Sequence, residues 1–187
     1  MAVGGILLRT CYTRSAAKAD TWLSRHVSAA TLCLGLDVES CANHGFDVLQ
    51  LATASGEVLV YQINAAAGSQ GTGAAPTLLM RRTLQNAALV KAGVGVHADA
   101  RRIFQQWHVR VKGCVDLAIL VNRSGPGKSL EALASQHVGL PPWKHLRRHK
   151  GRWWHRLSVQ QQAYAAMDAY AGVAVYEALV DVHAIGE

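Results

Sequence analysis

Two hydrophobic patterns alternate along the chain. Short apolar runs closed by polar or turn residues read as strands, and segments whose apolar residues recur every three or four positions read as helices. Ile6 to Thr13 is the first strand, with Leu7, Cys11 and Tyr12 as β-compatible residues. Ala16 to Val27 reads as a helix, with Trp22, Leu23 and His26 at helical spacing. Ala29 to Leu36 is a small, apolar run suited to a strand buried on both faces, and it ends in Asp37 and Glu39. Phe46 to Thr53 and Val58 to Ile63 flank Ser55-Gly56, a hairpin signature.

Residues 64–77 are rich in Ala, Gly and Ser and read as a low-complexity loop insertion. Leu78 to Ala88 predicts a helix or helix pair, Leu89 to Val96 a strand, and Ala98 to Trp107 a helix. Val109 to Val115 predicts a short strand, and Asp116 to Val121 fits helix or strand. Ser129 to His137 predicts a helix with Leu130 and Leu133 turned inward. Ser158 followed by Gln161 forms a capping-box pattern at the head of a long helix that runs through Tyr164 and Asp168 to about Val182. There is no internal repeat. The order β-α-β-β-β-α-β-α-α-α predicts one α/β domain over 1–187, with a mixed sheet whose antiparallel section comes from the hairpin.

Composition narrows the class. Half of the 187 residues are hydrophobic and 17% are charged, which fits a globular domain. The formal charge of +7 favours an anionic partner, with nucleic acid foremost. Four cysteines with no C-x-x-C spacing read as small buried hydrophobes of a reducing compartment. No apolar run approaches a membrane span. Residues 1–19 carry Arg9, Arg14 and Lys18 without an acid, the composition of an organelle transit peptide; the strand pattern of Ile6 to Thr13 is the competing reading. Nucleus or cytoplasm is the expected location, with an organelle left open.

Several clusters could carry chemistry. Asp37 and Glu39 project from one strand face, where two like charges repel and lose hydration unless a hard cation compensates; a pair of exposed acids is the alternative. Tyr164 and Asp168 share a helix face made slim by Ala165, Ala166, Ala171 and Gly172, so the helix can approach a sheet closely. Asp99 sits where a strand gives way to a helix, which also suits a capping or dipole role. Gly93-Val-Gly95-Val-His-Ala98 has the form of a dinucleotide fingerprint, with Asp116 near the distance of a ribose-binding acid. Gly127-Lys128-Ser129 resembles the end of a phosphate-binding loop whose first glycine is replaced by Asn122.

Trp143 to Arg156 is the most basic stretch. Lys144, Arg147, Arg148, Lys150, Arg152 and Arg156 alternate there with Trp143, Trp153, Trp154 and three histidines, and no acid intervenes. Such a stretch predicts cations tracking phosphates and tryptophans stacking on unpaired bases. The alternative is a solvated basic surface over core tryptophans. His145 and His149 have the spacing of a zinc pair but no third ligand nearby, and read as part of the basic surface.

Taken together, these blocks resemble the 3′–5′ exonuclease domain of the DEDD superfamily in its tyrosine-containing branch. The likeness is nearest to the Werner-syndrome-type exonuclease in its short plant form, and ribonuclease D is more distant. Leu34-Gly-Leu-Asp-Val-Glu39, Val90-Lys-Ala-Gly-Val-Gly-Val-His-Ala-Asp99 and Tyr164-Ala-Ala-Met-Asp-Ala-Tyr170 resemble the three exonuclease motifs in order. The resemblance implies a ribonuclease-H-like fold, a central mixed β-sheet flanked by helices. It implies that Asp37, Glu39, Asp99 and Asp168 hold two Mg²⁺ or Mn²⁺ ions, that Tyr164 orients the attacking water, and that the product is a nucleoside 5′-monophosphate. The implied partner is single-stranded or 3′-recessed nucleic acid, with DNA favoured and RNA open, and a protein partner could supply targeting. A silent nucleic-acid-binding module on the same fold is the alternative. Ser40 stands where relatives often carry Trp, which predicts a looser pocket near the terminal base.

Overall fold

The structure is a computed structural model that describes residues 2–3, 5–40, 45–63, 75–121, 128–147 and 153–185. A two-stranded antiparallel piece, β1 (Ala2–Val3) and β2 (Ile6–Leu7), precedes the main sheet. The main strands are β3 (Arg9–Thr13), β4 (Cys33–Ser40), β5 (Phe46–Ala52), β6 (Glu57–Gln62), β7 (Val90–Gly93) and β8 (Cys114–Asp116), in the spatial order β3-β6-β5-β4-β7-β8. β5 runs antiparallel to β4 and β6, while β3 is parallel to β6, and β7 to β4 and β8. The hairpin turns at Gly56, whose φ of +80° suits a residue without a Cβ.

Among the described residues six helices accompany the sheet: α1 (Ala16–His26), α2 (Leu78–Gln85), α3 (Val96–Trp107), α4 (Leu117–Val121), α5 (Leu130–Val138) and α6 (Val159–Ile185). A short 3₁₀ turn spans Lys144–Arg147. Period-two alternation splits the strands between two cores. Leu34 and Leu36 of β4 and Leu49 and Leu51 of β5 join Trp22, Leu23, Met80, Leu84, Ile103 and Trp107 under α1, α2 and α3. Cys33 of β4 and Val48 and Ala52 of β5 face the other way, into the core under α5 and α6. Asp37 and Glu39 have the same parity as Cys33, so they open onto the face covered by α6.

α6 lies unusually close to that face. A Cβ at Gly35 would stand 1.7 Å from the Ala169 carbonyl oxygen, and one at Gly172 would stand 2.6 Å from the Ala92 carbonyl oxygen. Backbone therefore rests on backbone, as the run of small residues predicts. The capping box holds: Gln161 N–H donates to Ser158 Oγ at 3.2 Å, and Ser158 N–H donates to Gln161 Oε1 at 3.0 Å. Although α6 has 27 residues, none of the described helices is long and apolar enough to cross a membrane.

Several predicted boundaries move, and among them the strand expected from Ala29 starts at Cys33 and the one expected over Ile6 to Thr13 divides into β2 and β3. The strand expected over Leu89 to Val96 stops at Gly93, because Gly95 takes φ +76° and caps α3 two residues earlier than expected. The strand expected over Val109 to Val115 shrinks to Cys114–Asp116. Gly113 at φ +71° breaks the run, and there a Cβ would meet the Leu89 carbonyl at 2.6 Å. The helix from Leu78 ends at Gln85, with extended Asn86 as its C-cap. Ala19, Trp22 and Leu23 of α1 are buried, so this segment belongs to the folded domain. Most of the 64–77 insertion lies outside the described residues.

Candidate active site

The carboxylates of Asp37, Glu39 and Asp168 offer oxygens that lie within 4.8 Å of one another. Two come from the end of β4 and the third from α6. They meet because Gly35 and Gly172 let the helix approach the face onto which Asp37 and Glu39 open; the ladder with β5 shifts register just past them, between Glu39 and Ser40. Burial raises the Asp37 carboxyl well above its ordinary range, and the charges of Asp168, Asp99 and Glu39 raise it further. Carboxylates crowded in this way either keep protons or take a cation. The donors are all oxygens, the set that hard divalent cations prefer, so the residues present fit such an ion.

Asp99 stands in the first turn of α3 and is 6% exposed. It does not join the tight trio. Its Oδ1 instead accepts from Arg102 Nη1 at 3.3 Å. Burial pushes its pKa up to about 7; Arg102 opposes the rise, and Asp116 and Asp168 add to it. Asp99 is therefore electrically part of the cluster while geometrically turned toward a guanidinium. Tyr164 lies one turn before Asp168 on α6, buried, with its ring 6.2 Å from that of Trp153.

The tryptophans depart from the stacking expectation. Trp143 is fully buried, and its Nε1–H donates to Asp168 Oδ1 at 2.7 Å. The turn that carries it is held by Glu131 of α5, whose Oε1 accepts from the N–H groups of Trp143 at 2.7 Å and Lys144 at 2.8 Å. Trp153 is 4% exposed and packs beside Tyr164, so neither residue presents an open stacking face. The alternative reading, a basic surface over core tryptophans, describes these two. Trp154 is half-buried, while Lys144, His145 and Arg156 are exposed. Arg147 closes the 3₁₀ turn; Arg148, His149, Lys150 and Arg152 lie outside the described residues.

Two residues of the site carried no signal that was read from the sequence. One is Glu131, three-dimensionally behind Trp143. The other is Gln50, fully buried on β5 directly opposite Asp37, with neither amide atom hydrogen-bonded. A polar residue in the otherwise apolar Val48-Leu-Gln-Leu-Ala52 run was the available clue.

The competing motifs are accounted for structurally. Asp116 Oδ2 accepts from Gly95 N–H at 3.0 Å, so a carboxylate already fills the head of α3 where a dinucleotide pyrophosphate would sit. Ser129 caps α5 through a hydrogen bond from Ala132 N–H at 3.3 Å, and Lys128 Nζ donates to Gln136 Oε1 at 2.6 Å. The Gly-Lys-Ser end thus serves as a helix cap, with Gly127 outside the described residues.

A mixed sheet between helical layers, with clustered carboxylates at its centre, defines a ribonuclease-H-like fold with a candidate cation site. The model of the 3′-5′ exonuclease family matches residues 16–183, and the chain belongs to that family. A 3′-5′ exonuclease of Arabidopsis thaliana is 33% identical over 107 residues, which cover 55% of this chain and 37% of that protein. Exonuclease 3′-5′ domain-containing protein 2 of Mus musculus is 34% identical over 99 residues, which cover 50% of this chain and 15% of that protein. The chain thus matches well under two thirds of either relative's length. Among solved structures, the EXD2 exonuclease domain soaked in Mg and dGMP is 25% identical with a TM-score of 0.51, covering 92% of this chain and 90% of that one. NrnC of Brucella melitensis shares the fold at 18% identity, with a TM-score of 0.67 over 84% of this chain and 76% of that one.

Proposed function

We propose that the chain is a 3′–5′ exonuclease that uses two Mg²⁺ or Mn²⁺ ions to remove nucleoside 5′-monophosphates from the 3′ end of a nucleic-acid strand. The observation that carries this reading is the convergence of Asp37, Glu39 and Asp168 within 4.8 Å, where burial and the neighbouring carboxylates raise the Asp37 carboxyl above its ordinary range. Asp37, Glu39 and Asp168 would hold the ions, with Asp99 supporting them from α3. Divalent ions in such a site stabilise both the attacking and the leaving oxygen of an in-line displacement.

The chain's own residues position the parts. Trp143 keeps Asp168 aimed inward by donating to Oδ1. Tyr164 orients the attacking water or the scissile phosphate by its hydroxyl. The water oxygen bonds to phosphorus, the bond from phosphorus to the 3′ oxygen of the preceding nucleotide breaks, and that oxygen leaves as a hydroxyl. The terminal nucleotide departs with its 5′-phosphate. A related domain was soaked with Mg and dGMP and also with Mg and GMP, nucleotides of the product class expected here with either sugar. DNA and RNA single strands are accordingly both candidate substrates, with DNA favoured.

The test is degradation of matched 5′-labelled DNA and RNA single strands with Mg²⁺, Mn²⁺ or EDTA, beside Asp168→Ala. The expected result is a ladder shortening from the 3′ end, abolished by EDTA and reduced at least about 100-fold in the variant. Binding of both strands with no ladder under either metal would make the chain a silent module.

A further inference from the structure

We propose that Gln50 is a positioning residue of the acid site: in the ion-loaded protein its Nε2–H donates to the Asp37 carboxylate, and its Oε1 accepts from a water that enters with the divalent ion. Gln50 is fully buried on β5, and neither end of its amide has a hydrogen-bond partner. Among the described residues it is the only carboxamide buried with both ends in that state. Gln62, buried on the same sheet face, shows the ordinary arrangement. Its Nε2 donates to the carbonyl oxygens of Trp153 and His155, and its Oε1 accepts from Tyr12 Oη. A buried amide with nothing to bond to costs more than an apolar side chain of the same size. Val48 and Ala52, its neighbours along this face of β5, are apolar core residues, so a hydrocarbon would fit the position.

Strand register aims this side chain. Gln50 is the antiparallel partner of Asp37 on β4 and of Val60 on β6. Side chains directly opposite in an antiparallel pair share a face, with Cβ atoms about 5 Å apart, a gap that a glutamine side chain spans. Val48, Ala52, Val58 and Val60 surround Gln50 on that face and offer no hydrogen bond. The diagonal Gln62 is already paired on both sides. The polar neighbours left on the sheet are the carboxylates of Asp37, directly opposite, and Glu39, on the diagonal. The unsatisfied amide therefore points at the acid trio.

Each end of the amide matches something that the loaded site supplies. A carboxylate has more lone pairs than an ion uses, and an N–H donor on one of them fixes the orientation of the group. Ions of the Mg²⁺ type bound by carboxylates keep several waters, and each water brings hydrogens that need an acceptor such as Oε1. A neutral donor suits the position, because a Lys or Arg there would neutralise the acids and compete with the ion. Trp143 already plays this part on the other side, where its indole N–H donates to Asp168. The strand acid and the helix acid would then each be steadied by one buried, uncharged donor.

This inference rests on the divalent-ion reading of the acid trio, and its test does not depend on turnover. In the isotopically labelled wild-type chain, the side-chain amide signals of Gln50 are followed by NMR as Mg²⁺ is added. They are expected to move downfield as the site fills; signals unmoved at saturation would overturn the inference, as would a chain that binds no ion. Gln50→Met keeps the length of the side chain and removes both polar ends. Calorimetric titration is expected to show Mn²⁺ bound about tenfold more weakly by this variant. Its Tm in EDTA is expected to hold or rise, because an apolar group replaces an unpaired amide. Undiminished Mn²⁺ affinity, or a loss of affinity that comes with a lower Tm in EDTA, would reduce Gln50 to a packing residue. On 5′-labelled single strands, kcat of the variant is expected to fall at limiting Mn²⁺ and recover at saturating Mn²⁺, with KM for the strand unchanged. A raised KM with kcat intact would instead make Gln50 a strand contact and sink the proposal. If Gln50→Met fails to fold, the NMR titration of the wild-type chain decides alone. A Gln50 response in a protein that makes no ladder keeps the positioning role and removes the exonuclease; a ladder with a silent Gln50 does the reverse.

Discussion

A buried indole donates its only polar hydrogen to Asp168, and this contact gives the site its sharpest test. Trp143→Phe keeps most of the ring and removes the donor. The expected outcome is a metal requirement raised about tenfold and a stability loss of about 2 kcal/mol. Isothermal titration with Mn²⁺ and urea unfolding would read the two effects separately. Protons compete for the same oxygens. The folded-state pKa values of Asp37 and Asp99 lie above their unfolded values, Asp99 at about 7. The folded metal-free protein therefore holds more protons than the unfolded chain between pH 4 and 7, and stability falls as pH rises through that window. Thermal unfolding in EDTA is expected to be highest near pH 4 to 5 and to decline toward pH 8. Added Mg²⁺ is expected to raise Tm most at the alkaline end. The acids themselves were legible, because two carboxylates closing an apolar run are conspicuous. Trp143 was not, because its partner lies 25 positions away and only the folded turn brings them together.

At the scale of elements, the site depends on how closely α6 lies on β4 and β7. Gly35→Ala would put a methyl group 1.7 Å from the Ala169 carbonyl oxygen, next to Asp168 in the chain. The neighbour is helix backbone and cannot swing aside, so α6 must lift. The expected result is a loss of about 3 kcal/mol in urea unfolding and a fall in kcat of at least about tenfold. The slim face of α6, its capping box and the hairpin at Gly56 were all readable, since each is a local rule written in adjacent residues. The strand over Val109 to Val115 misled because apolar Val109 and Val111 flank a backbone that Gly113 turns out of the ladder. The start of α3 moved because a left-handed glycine replaced a side-chain cap.

For the whole molecule, the exonuclease reading assigns gripping a strand to the excess of positive charge and cutting it to the acid trio. The acids converge on the central strand β4 of the mixed sheet. The mixed α/β order was legible because strand and helix patterns alternate, and its ribonuclease-H-like character came from the resemblance of the three motif blocks. Trp143 opens the basic stretch and also donates to Asp168, so a strand held by that stretch and an ion held by the acids would share one buried side chain and the turn that carries it. Any ligand that stiffens that turn lowers the cost of filling the acids, and reciprocity requires the reverse in equal measure. Mn²⁺ is expected to tighten an oligonucleotide by the same factor by which the oligonucleotide tightens Mn²⁺, and Trp143→Phe to shrink both factors together. Under that coupling, the state that holds strand and metal together is more populated than independent binding would make it.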